Sequence, residues 1–306
     1  MSQQQNELLV EWLEHCIATE ADGNEVVKQC ADALEELIEK LNKLLTQETY
    51  ITTKTLYRSL ISEAEELLAE YLDILNGYRK SNIENVVDKE TQWLQKFGKK
   101  INKNYKVPAT VASTVLFFPI ANKKDYAAFT DNEIFKLKDY FDSSLRLAYV
   151  TKQDTKETKE RFTKKTENLE RNFETDDRTI NTAASRATAY AILKANNQKV
   201  VYSSILDTHT CLSCASYSGK VFDITKAPEL PLHENCRCSL IPIEVVDKST
   251  VSNFSDFLKE LSDEDKKAVL GKSRFQLYEK GVKVTSFVNN GEIKSVKQLK
   301  EEYPDY

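Results

Sequence analysis

Val27, Cys30, Leu34, Leu37, Leu41 and Leu44 recur alternately at three and four residues, the spacing that stacks apolar side chains along one side of an α-helix. The pattern predicts a helix over 24–45 whose seam needs a partner. Leu60, Ala64, Leu67, Tyr71, Leu75 and Tyr78 step in the same way and predict a second helix over 53–98, packed antiparallel on the first. Gly77 is expected to bend or break it, because glycine costs a helix about 1 kcal/mol relative to alanine.

Val107-Pro108 disfavours helix and marks a boundary. Over 124–149 aromatic residues take many apolar positions: Tyr126, Phe129, Phe135, Tyr140, Phe141 and Tyr149. Residues 151–178 are mostly polar, with Phe162, Leu169 and Phe173 widely spaced, and read as a helix with a solvated face laced by i,i+4 charge pairs. The alanine-rich stretch 180–195 reads as a closely packed helix. The period then changes. Residues 199–206, 220–222 and 239–243 have strand composition, and beyond 253 short helices over 254–261 and 264–280 are punctuated by turns at Gly271, Gly281 and 289–291. These breaks divide the chain into a helical segment 1–106, a central helical segment 107–198, a small β element 199–245 and a helical remainder 246–306.

Composition agrees with this pattern. With 7 glycines and 6 prolines in 306 residues and 30% charged side chains, a mainly α fold is expected, carrying a small metal-stabilised β element. The net charge of −5 excludes a chain held on nucleic acid by overall charge, so any DNA contact must be local. Six lysines (Lys89, Lys96, Lys99, Lys100, Lys103 and Lys106) stand around one glutamate, Glu90, beside Trp93, Phe97 and Tyr105. Of these, Lys96, Lys99, Lys100, Lys103 and Lys106 are candidate phosphate contacts; a solvated lysine face is the plainer alternative. The acidic run Glu7, Glu11, Glu14, Glu20, Asp22 and Glu25 predicts an oppositely charged face. No secretory leader is visible at the start, which predicts a protein folded in the cytoplasm. The most apolar run, 111–120, is about half the roughly 20 residues a membrane helix needs; it is expected to be core or interface.

The chemistry concentrates in one place. Two of the three histidines and four of the six cysteines fall within thirty positions: His209, Cys211, Cys214, His233, Cys236 and Cys238. The spacing C-x2-C, eighteen residues, H-x2-C-x-C suits a tetrahedral zinc ion with thiolate and imidazole ligands. Magnesium and calcium prefer oxygen; a mixed-ligand iron-sulfur cluster, buried free thiols, disulfides and a His209–Cys211 nucleophile pair are the alternatives. With His209 set aside as a turn residue, Cys211, Cys214, His233, Cys236 and Cys238 are five candidates for four positions. An extended segment would put Cys236 and Cys238 on one face, so alternation does not choose between them. The repeated two-residue spacing favours Cys236, with Cys238 an alternative ligand or a buried thiol. Arg237 either offsets thiolate charge or is solvated, and Cys16 and Cys30 read as core residues. No histidine or cysteine follows Pro242, and a structural rather than enzymatic centre is expected.

The runs Leu206-Asp-Thr-His-Thr-Cys-Leu-Ser-Cys214, Ser218-Gly-Lys-Val-Phe222 and Leu230-Pro-Leu-His-Glu-Asn-Cys-Arg-Cys238 resemble the Mu F-like, or head morphogenesis, minor head proteins of tailed bacteriophages. The alanine-rich helix with Arg186, and the tail from Phe257 through Val269-Leu-Gly-Lys-Ser-Arg274 to Leu277, look similar too. Glu234, His209 and the run Arg186-Ala-Thr-Ala189 depart from the family's pattern, but none of these removes a ligand. The resemblance implies a virion component in few copies, inside the head near the portal and in the host cytoplasm during assembly. Its implied partners are the portal protein, with scaffold and packaged double-stranded DNA, and no membrane. Its implied roles are head assembly and DNA retention or ejection; a DNA-binding zinc-knuckle protein outside the virion is the alternative.

Overall fold

The computed structural model describes residues 3–120, 125–246, 253–289 and 291–304; Asn290, in the turn expected at 289–291, lies outside them. The first half of the chain is helical: α1 (Gln3–Asp22), α2 (Asn24–Leu45), α3 (Lys54–Lys100), α4 (Val111–Leu116), α5 (Tyr126–Thr151) and α6 (Thr155–Ala195). Strands β1 (Lys199–Ser203), β2 (Val221–Asp223) and β3 (Ser239–Pro242) follow, with α7 (Leu212–Tyr217) between the first two. The last part holds α8 (Phe254–Glu260), α9 (Asp263–Leu270), α10 (Lys272–Glu279), the small pair β4 (Val288–Asn289) and β5 (Glu292–Ile293), and α11 (Val296–Glu302). The fold is mainly α.

Helices α2, α3, α5 and α6 form a four-helix bundle. Arg79, Asn82 and Glu90 of α3 bond in turn to Asp177, Asn181 and Ser185 of α6, so these two long helices run parallel. α2 is antiparallel to α6, with Asn42 against Thr163 near one end and Gly23 against Asn181 at the other. α5 is antiparallel to α3, because Lys138 meets Glu65 while Thr130 meets Arg79. The interior is the predicted seam, Cys30, Leu34, Leu37, Leu41 and Leu44, closed by Leu60, Leu75, Leu137, Phe141 and Phe162. Thr53 and Asp125 cap α3 and α5 by accepting from the backbone N–H of Leu56 and Ala128, which satisfies donors a helix start leaves open.

One expectation gives way here and another is extended. α3 runs unbroken through Gly77: burial of Leu75 and Arg79 on either side outweighs a glycine penalty of about 1 kcal/mol. The polar stretch 151–178 keeps its solvated face, with Glu174 and Arg178 as an i,i+4 pair, and most of it forms the first part of α6, continuous with the alanine-rich part. It buries Thr158, Phe162, Thr166, Leu169 and Phe173 against the bundle, a narrow stripe that two threonines complete.

A charged cluster pins the bundle. Arg79, 1% exposed, donates to Asp177 at 2.7 Å, Thr130 at 2.8 Å and Glu133 at 2.8 Å. One guanidinium faces two carboxyls, and burial, opposed by Arg79, pushes Glu133 up to about 8.

The second core joins α1, the latter halves of α3 and α6, α4 and the sheet. Trp12 of α1 meets Trp93 and Phe97 edge-on, each at 5.2 Å, and its indole N–H donates to Ser239 Oγ of β3 at 3.0 Å. Val111, Val115, Phe118 and Ile120 are buried in this core, and among the described residues no helix is long and apolar enough to cross a membrane. A third cluster packs α7 against the C-terminal helices, through Leu212, Phe254, Leu258, Phe275 and Phe287. The acidic and basic segments do not form opposed faces: Glu11 pairs with Lys100, Asp22 with Lys89 and Glu20 with Arg186. Much of their charge is cancelled inside the molecule.

Candidate metal centre

The sheet order is β2-β1-β3, antiparallel throughout, with Val201 opposite Val221 on one side and Ile241 on the other. Two excursions leave it: 204–220, which carries α7, and 224–238, which returns to β3. The first excursion is fixed by its own polar side chains. Asp207 Oδ1 accepts from the His209 N–H at 2.9 Å and from Thr210 Oγ at 3.0 Å, and the Asp207 N–H donates to Thr210 Oγ at 2.8 Å. Arg237, from the second excursion, closes on Asp207 at 2.8 Å. Against partial burial, Arg237, His209 and Thr210 hold the Asp207 carboxyl below its ordinary value. The Asp-Thr-His-Thr run is thus a turn that delivers Cys211 to the start of α7, where its sulfur accepts from the Cys214 N–H at 3.4 Å.

The second excursion makes a matching turn. The Cys236 N–H donates to the His233 carbonyl at 3.1 Å, with Asn235 in the left-handed region at φ 58°, a conformation asparagine tolerates better than most residues. The Asn235 N–H in turn donates to Thr179 Oγ of α6 at 3.3 Å. The bundle helix therefore supports the loop.

These turns bring the five predicted residues together. Cys211 Sγ and Cys214 Sγ each lie 3.1 Å from His233 Nε2, and Cys214 Sγ lies 3.8 Å from Cys236 Sγ. The donor atoms of Cys211, Cys214 and His233 all lie within 4.8 Å of one another, as do those of Cys214, Cys236 and Cys238. Cys214 belongs to both sets. His233 Nδ1 is 2.7 Å from the Glu234 carbonyl oxygen; a carbonyl only accepts, so Nδ1 carries a proton, and Nε2, which faces the sulfurs, is the ring atom available to a metal. Cys238 Sγ lies further in, 3.5 Å from Ser204 Oγ. His209 is exposed in its turn and, with Arg178, His233, Glu234, Cys236 and Arg237, lines a cavity of about 520 Å³ on the outer side.

The donor set fits a soft or borderline divalent metal. A tetrahedron with metal–sulfur bonds of about 2.3 Å has sulfur–sulfur edges of roughly 3.8 Å, matching the separation of Cys214 and Cys236. Protons are shared unevenly within the cluster. Contact with Cys214 and then His233 brings Cys211 down to about 4, and contact with Cys214 and Cys238 brings Cys236 down to about 2. Cys214, held between them, is pushed up, and contact with Cys211 raises His233 to about 9. A cation bound here would displace protons from this donor set.

The lysine candidates are placed differently. Lys96, Lys99, Lys100, Lys103 and Lys106 are all exposed, but Lys100 is held by Glu11 at 2.6 Å and Lys103 by Glu244 at 3.0 Å. Cys16 and Cys30 are buried, as expected. Sequence reasoning passed over Thr179, Ser204 and the Trp12–Ser239 bond; only the Asp207-x2-Thr210 spacing carried a local signal.

Residues 149–241 match the family model described as Phage Mu protein F like protein. The match spans the end of α5, all of α6, the cysteine-rich loops and the sheet, and it bears out the resemblance carried by the cysteine motif: this segment is Mu F-like, from a bacteriophage family. No curated protein and no solved structure matched the chain.

Proposed function

We propose that the chain is a minor head protein of a tailed bacteriophage, portal-associated and acting in head assembly and in DNA retention or ejection. The observation that supports this most is the coincidence of the Mu F-like segment, 149–241, with the loops on which the cysteine and histidine donor atoms converge. That centre is read as a structural zinc site with Cys211, Cys214, His233 and Cys236 as ligands and Cys238 as the thiol behind them. Four nitrogen and sulfur ligands close a tetrahedron and leave no position for substrate, so the reading is non-enzymatic. Zinc would stiffen a sheet too small to hold itself, and the bundle would carry it as a rigid arm. Packaged DNA would meet Lys96, Lys99 and Lys106, for which no ion pair is seen among the described residues.

The test is to locate the chain. Purified particles should contain it in few copies together with the portal protein, and particles assembled without it should have normal shells but reduced infectivity or DNA delivery. Finding the chain only in the host cytoplasm would instead favour a DNA-binding protein outside the virion.

A further inference from the structure

α1 has two apolar faces and only one is used. Leu9, Trp12 and Cys16 turn into the second core, and the Trp12 bond to Ser239 fixes the helix so that it cannot roll. On the opposite side Val10, Leu13 and Ile17, spaced i, i+3, i+7, are 52%, 38% and 63% exposed, and Ala21 continues the line. α1 contains no lysine or arginine and has five acids, Glu7, Glu11, Glu14, Glu20 and Asp22. The latter's pairing is selective: Glu11, Glu20 and Asp22 bind basic residues of the body. Glu7 and Glu14, on one border of the outer stripe, have no basic partner among the described residues.

We infer that the outer stripe of α1 is a docking surface for an amphipathic helix of another protein, apolar along its centre and basic along its flank. Charge selects this occupant. A second copy of α1 packed antiparallel would set Glu7 and Glu14 against like charges, and one packed parallel would give them no cation. An anionic membrane or nucleic acid would be repelled by an acidic helix without lysine or arginine. A lysine-flanked helix pairs with the two carboxylates that lack a basic partner while covering Val10, Leu13 and Ile17, the helix-on-helix mode in which anchors recur at i, i+3 and i+7.

The test uses the full chain and two designed helices with identical leucine stripes, one flanked by lysine and one by glutamate. The lysine helix should bind, more weakly as salt rises, and the glutamate helix should not. V10S/I17S should weaken binding about tenfold or more, since it removes two of the three apolar anchors. E7Q/E14Q, which touches no body contact, should weaken it less and remove the salt dependence. Circular dichroism should be unchanged in both variants. Equal binding of the two helices, binding unaffected by V10S/I17S, self-association lost in V10S/I17S, or capture by phosphatidylglycerol vesicles would each overturn the inference.

Discussion

The α2/α3/α5/α6 bundle and the loops over 204–238 lie side by side yet are stabilised differently. In the bundle each apolar residue has many neighbours, so one lost contact removes a fraction of the whole. In the loops, order depends on a few side chains, and Cys214 alone belongs to both donor triads. Redundant packing tolerates substitution by degrees, whereas a metal centre fails at a single atom. The junction between them is both polar and apolar: the Asn235 N–H to Thr179 bond supports the loop from α6, and Cys214, Leu230 and Cys236 share a core with Ile180 and Ala187.

The largest expected effect separates the two regions. Cys214→Ser should abolish metal binding and expose 204–238 to protease, because structural zinc contributes on the order of 10 kcal/mol to folding small metal domains; the far-ultraviolet helical signal should stay near wild type. A global loss of helix would show that the regions are not separable.

Within the bundle the sharpest test is Arg79→Ala. It strands Asp177 and Glu133 without their cation, a change that costs about 3–5 kcal/mol for a buried pair and is read by urea unfolding; a cost below about 1 kcal/mol would contradict the role given to this cluster.

A pH titration of the bundle follows from the same residues. Glu133 is raised from its ordinary value near 4.5 to about 8, chiefly by burial. The folded state therefore holds a proton that the unfolded chain releases, and this group's contribution to stability is complete below about pH 4.5 and declines as pH rises to about 8. Glu133→Gln should flatten that decline. The smallest effect is expected at Asp125, whose cap on α5 makes Asp125→Ala worth about 1 kcal/mol in the same unfolding experiment.

The two regions were also unequally legible in the sequence. The bundle's seams could be read from spacing alone, since burial repeats with the helical period over many residues. What spacing could not reveal was context. Gly77 looks like a break until its neighbours are seen to be buried, and 151–178 looks solvated because Thr158 and Thr166 share the buried stripe with Phe162 and Leu169. The five metal-site residues stood out by residue type and clustering. The groups that aim them, Thr179, Ser204 and the carbonyl of Glu234, come from segments whose approach depends on the fold. The expected opposition of acidic and basic faces failed for the same reason: charge along the chain does not tell which residues pair in space.

The central claim, that a metal holds the cysteine-rich loops in shape, is tested most directly by elemental analysis of freshly purified, reduced protein. About one zinc per chain is expected from one tetrahedral set of nitrogen and sulfur ligands. A metal-free chain whose 204–238 loops remain protease-resistant would contradict it.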